Sequence, residues 1–119
     1  MPPQIRISRA VRTLEARRTS QADALAALLR QIHEAQAIGR LPRLVRESAQ
    51  ALAEEITAPA PRGWRRLLDR SPAGREAAAV AVLLRAVEAD RDQAGLPVRR
   101  AAQRLARVLS VSRIPAGAA

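Results

Sequence analysis

The stretch SQADALAALLRQIHEAQAIGRLPRLVRESAQALAEEI, Ser20 to Ile56, reads as two helices with a stop between them. Leu25, Leu28, Leu29 and Ile32 recur at i, i+3, i+4 and i+7. That spacing puts them on one face of a helix over about 20–38 and predicts that the face is buried. Thr19 or Ser20 offers a hydroxyl to cap the first amides, and Asp23 sits in the first turn, where the helix dipole is positive. Gly39 follows the last periodic residue, at the position where a chain leaves a helix through a left-handed conformation. Pro42 then opens the next helix at or near its first position. The apolar stripe of that helix is Leu44, Val45, Ser48, Leu52 and Ile56.

The same grammar extends in both directions. Upstream, Ile7, Ala10, Val11 and Leu14 fall at i, i+3, i+4 and i+7, which predicts a first helix ending near Arg18. Downstream, the APAPRG stretch from Ala58 to Gly63 cannot continue a helix, because two prolines and a glycine interrupt it. A short helix from Trp64 to Arg70 follows, with Trp64, Leu67 and Leu68 as its apolar side. Ser71 and Pro72 form a start signal for a helix over about 72–94. That helix is apolar almost all round between Ala77 and Leu84, so it is expected to be the central, most buried one. Gly95 stops it. Pro97 opens a last helix, about 97–112, with Val98, Ala102, Leu105 and Leu109 inward. The tail Ile114 to Ala119 is expected to be loose.

The two halves echo each other. Leu28-Leu29-Arg30 matches Leu83-Leu84-Arg85, and Gly39 to Pro42 matches Gly95 to Pro97. Val45 to Ala53 matches Val98 to Ala106 at six of nine positions. The expectation is an all-α fold: one compact bundle of about six helices over 1–113, with 114–119 as a tail. Halves of about 5–57 and 62–113 are joined by the Pro-rich linker 58–63. Each half reads as an antiparallel helical hairpin, since short connections make consecutive helices neighbours. Such pairing would bring Glu34 towards Arg43 and Arg46, and Glu54 and Glu55 towards Arg17 and Arg18.

A chain of 119 residues can bury a core without staples. It contains no cysteine, which excludes disulfides and thiolate metal sites. No apolar run approaches the ~18 residues of a membrane span, and no signal-peptide core is present. The protein is therefore expected in the cytoplasm, although the basic, nearly acid-free first 18 residues also match the composition of a mitochondrial presequence. Lys, Tyr and Phe are missing while Ala and Arg abound, a bias that GC-rich coding also produces. The net charge of +10 is real whatever its origin, and it is segregated. Residues 1–18 carry five Arg and one Glu, residues 19–92 eleven Arg and ten acids, and residues 93–119 five Arg and no acid.

Enzymatic machinery is sparse: no Cys, Tyr or Lys, one His, no Gly-rich phosphate loop and no metal-ligand spacing. No enzyme activity, cofactor or metal is expected. His33 lies one turn after Leu29 at the edge of the buried stripe and reads as a boundary residue. A helical phosphotransfer domain would follow such a histidine with a Lys-Gly pair; here Glu34, Ala35 and Gln36 follow.

The basic ends carry the functional reading. Arg100, Arg104 and Arg107 fall at i, i+4 and i+7, with Arg99 beside them, opposite the inward side of the last helix. Arg6, Arg9 and Arg12 form an i, i+3, i+6 row opposite Val11 and Leu14. Guanidinium groups suit phosphate because their fork donates two parallel charged hydrogen bonds. A solvated face is the plain alternative, or arginine stems covering apolar surface.

Two stretches resemble DNA-binding layouts. Leu105 to Arg113 resembles the second helix and turn of helix-turn-helix proteins, with Ser110 where that family usually has Gly. Gln4 to Ser8 alternates as a short strand would, and strand, helix, helix is similar to the ribbon-helix-helix layout. That resemblance implies a paired-strand dimer with Gln4, Arg6 and Ser8 facing the bases. With Trp64 the only aromatic residue, base stacking is poorly served, so duplex DNA held through phosphates is the expected nucleic acid. The leading expectation is a non-enzymatic, DNA-associated regulator or accessory protein. The alternative is a helical adaptor or inhibitor that binds an acidic protein surface. A homodimer is compatible with either.

Overall fold

The computed structural model describes residues 3–39, 41–58 and 72–113. Among them are six helices and no strand: α1 Pro3–Arg17, α2 Ser20–Ile38, α3 Arg43–Thr57, α4 Pro72–Ala89, α5 Arg91–Ala94 and α6 Leu96–Arg113. The expected all-α bundle is present. The expected short helix Trp64–Arg70, most of the linker 58–63 and the tail 114–119 lie outside the described residues.

The end signals of the first helical pair act largely as read. The Thr19 hydroxyl accepts the Ala22 amide at 3.0 Å and caps α2. Gly39 leaves α2 at φ 78°, donating its amide to the Ala35 and Gln36 carbonyls. Pro42 takes the cap position of α3 rather than its first helical turn, and its carbonyl accepts the Arg46 amide at 3.0 Å. Between α1 and α2 the chain turns through Arg18 at φ 54°, a left-handed conformation uncommon for a non-glycine residue.

Residues 4–8 are helical, so the short strand, and the ribbon-helix-helix layout built on it, is corrected. The reason is burial: as a helix, α1 hides Ile7, Ala10, Val11 and Leu14 together. A five-residue strand would offer only Ile5 and Ile7. Likewise α6 runs without a break through Ser110, which removes the helix-turn-helix resemblance. No residue from Val98 to Arg113 is a helix breaker, so nothing forces a turn there.

The packing order departs from two simple hairpins. α2 and α3 touch only slightly, and so do α4 and α6. The main contacts are α1 with α2 and α3, α2 with α6, and α3 with α4. α2 and α3 therefore each pack against a helix of the other half rather than against one another, with α1 inserted against both of them.

This order also moves the centre of the core. α2, packed by α1 and α6, buries Ala22, Ala24, Leu25, Ala26, Leu28, Leu29 and Ile32. α4 buries one face only, through Val80, Leu83, Ala86 and Val87, while Val82 is 53% exposed. The expectation that the 72–94 helix is central and most buried is thus corrected, and Leu84 is half-buried whereas Leu83 is fully buried. The helix also breaks at Asp90, whose φ and ψ of −115° and 34° separate α4 from the single turn of α5. In α3 the stripe is Val45, Ala49, Leu52, Ala53 and Ile56. Leu44, about 100° round the helix from Val45, is exposed rather than inward.

Candidate nucleic-acid interface

α6 contains five arginines and no acidic residue. Its inner side, Val98, Ala102 and Leu105, is buried, with Leu109 half-buried against the same core. The opposite side follows by helix geometry: Arg100, Arg104 and Arg107 are all exposed. No ion pair ties any of these three to an acid among the described residues. Arg99 is half-buried and stands off this row. Seven residues separate Arg100 from Arg107, so the row spans about 10 Å of helix axis at 1.5 Å per residue. Leu96, 52% exposed, lies four residues before Arg100, and Val111, 71% exposed, lies four after Arg107. The outward row therefore reads apolar, three arginines, apolar.

The N-terminal arginines are disposed differently. Arg6 is half-buried and its Nη1 pairs with Glu54 of α3. Arg17 pairs with Glu76 of α4 at 2.6 Å, and Glu15 accepts Arg30 of α2 at 2.5 Å. Arg9 and Arg12 are exposed. The ion pairs expected from antiparallel hairpins do not form: Glu54 takes Arg6, Glu55 faces Arg75 at 3.7 Å, and Arg43 bonds Glu47 on its own helix at 2.7 Å. Each follows from the helix order, since α1 and α4, not α2, lie along α3. Arg9 and Arg12 are not brought next to the α6 row, because α2 packs against both helices while α1 and α6 hardly touch.

His33 is half-buried at the end of α2, as expected of a boundary residue. Its Nδ1 and the Oε1 of Gln36, one turn on, are buried without hydrogen-bond partners among the described residues. No cluster of His, Cys, Asp and Glu able to hold a metal occurs among the described residues, and no described helix is long and apolar enough to cross a membrane.

An open groove of about 550 Å³ lies where α4 and α6 fail to close on the N-terminal half of the molecule. Its apolar floor includes Leu14, Leu25, Val80, Leu84, Leu105 and Leu109, and its rim carries the Arg17–Glu76 pair and Arg85. Sequence reading missed this groove, because no single helix encodes a gap between helices. No protein-family model, curated protein or solved structure matches this chain.

Proposed function

We propose that this chain is a non-enzymatic, DNA-associated regulator or accessory protein that holds duplex DNA by its phosphates through α6. The observation that carries this reading is the row Arg100, Arg104 and Arg107, exposed and without acidic partners among the described residues, on a helix with no acid of its own. Over the ~10 Å of that row, duplex DNA carries about six backbone charges at one per ~1.7 Å. Arg9 and Arg12 supply a secondary basic patch, while Arg6 is engaged by Glu54.

A second reading, an adaptor or inhibitor for an acidic protein surface, is favoured by a different feature of the same row. Leu96 and Val111 bracket the arginines with exposed apolar groups. Phosphate binding makes no use of them, whereas a protein interface buries such groups at its centre.

A gel-shift series across salt concentrations separates the two. Phosphate contacts give a log–log slope of roughly −0.9 per contact. Replacing Arg100, Arg104 and Arg107 with Gln keeps helix propensity similar and is expected to flatten the slope by about two to three units. If the folded wild type leaves duplex DNA unshifted even at low salt, DNA binding is wrong. The Leu96→Ser, Val111→Ser variant then tests the adaptor reading by loss of a captured protein partner.

A further inference from the structure

Both halves of the bundle turn at the same end. α3 and α4 are in extensive contact, and Glu55 near the end of α3 faces Arg75 near the start of α4 at 3.7 Å. The two helices are therefore antiparallel, and α3 begins where α4 ends. α2 and α6 are the other close contact between the halves. Ala22 and Leu25, early in α2, share the groove with Leu105 and Leu109, late in α6, so α2 ends where α6 begins. The end of α2, the start of α3 and the break from Asp90 to Gly95 thus come together, remote from the groove.

Exposed apolar groups gather at this end. The described residues expose five large apolar side chains, Ile38, Leu44, Val82, Leu96 and Val111. Ile38 ends α2, Leu44 is the second residue of α3 and Leu96 opens α6, so three of the five belong here. Val82 is midway along α4, and Val111 is at the other end of α6. Free charges gather here as well. The described acids in no ion pair are Asp23, Glu34, Asp90 and Asp92, and the last three stand at this end. Arg46 and Arg99, the fourth residues of α3 and α6, are also in no ion pair among the described residues.

We infer that this end is the interface of a two-fold dimer, its partner a second copy of the chain. Two molecules of net charge +10 repel each other through their basic faces. Here each copy brings free charges of both signs. A two-fold axis lets the acids of one copy face Arg46 and Arg99 of the other, around apolar groups that meet their own kind. A polyanion fits this end poorly, because the free acids oppose it. Leu96 belongs to this interface and Val111 lies outside it. Three large apolar side chains per copy make a small contact, so the dimer depends on concentration.

Sedimentation equilibrium of the full chain over a concentration series reads the assembly. The wild type is expected to pass from monomer to dimer and no further. Ile38→Ser with Leu44→Ser is expected to weaken the dimer at least about tenfold. Val82→Ser with Val111→Ser is expected to leave it unchanged. Circular dichroism verifies that the helices are retained. The chain has no cysteine, so spin labels can be placed singly. Labels on Gln93→Cys, in the α4–α6 break, are expected to lie closer together across the dimer than labels on Ala16→Cys, near the end of α1 that lines the groove. A wild type that stays monomeric throughout the series overturns the inference. So does a dimer that the Ile38, Leu44 variant retains in full, or one in which the Ala16 labels are the closer pair. Growth beyond the dimer overturns the closed two-fold arrangement.

Discussion

α1 and α6 are the most basic of the described helices, yet they hold their arginines in opposite ways. α1 is wedged against α2 and α3, and two of its arginines are drawn to acids of other helices, Arg6 to Glu54 and Arg17 to Glu76. α6 packs mainly on α2, and its outward arginines meet no acid among the described residues. The two ends carry excesses of +4 and +5 in sequence. Two of the first end's five arginines are paired with acids of other helices, whereas Arg99, Arg100, Arg104 and Arg107 of the second are in no ion pair among the described residues. Formal charge measures what a segment contains; the free guanidinium groups measure what it can offer a partner.

The sharpest way to break this contrast is through the core. Leu14 of α1 is fully buried, whereas Val111 on the outer side of α6 is 71% exposed. Leu14→Ala is expected to destabilise the protein by ~2–5 kcal/mol in denaturant unfolding, the range for cavities in packed cores. Val111→Ala is expected to stay within ~0.5 kcal/mol. Similar losses at both positions would mean that α1 is not the structural helix of the pair.

The salt dependence of DNA binding sharpens the comparison next. The Arg100, Arg104, Arg107 to Gln variant is expected to flatten the slope by about two to three units, but Arg9→Gln with Arg12→Gln by no more than about two. A larger effect from the α1 pair would reverse the assignment of the principal binding helix. Neither set touches the core, so thermal midpoints are expected to stay near wild type.

The smallest effect belongs to the cross-helix pair. A double-mutant cycle on Arg6 and Glu54 is expected to give a coupling of ~0.2–1 kcal/mol, as for other solvent-exposed ion pairs. A coupling that survives high salt undiminished would contradict the exposed position of Glu54.

Much of this could be read from residues in order. The stripe Ile7, Ala10, Val11 and Leu14, the Thr19 cap and the Gly39 exit were legible because each depends on neighbours within one or two turns. The α6 arginine row was legible for the same reason: i, i+4, i+7 spacing opposite Val98, Ala102 and Leu105 puts it outward once the inner side is buried. The strand reading of residues 4–8 failed because five residues of alternation are outweighed by an eight-residue helical stripe. The inward reading of Leu44 failed because it lies at the edge of its stripe, where one step of rotation separates core from solvent.

What the sequence determined by itself was therefore local: that the chain is helical, near which residues helices start and stop, and which sides of them are apolar or basic. The tertiary structure decided the rest. It chose Leu83 over Leu84, made α2 rather than α4 the central helix, committed Arg6 and Arg17 to acids distant in sequence, and left a groove between α4 and α6. Periodicity specifies directions around one helix axis. Burial, pairing and cavities depend on which other helix arrives on each side, and that is fixed only when all the apolar faces are packed together at once.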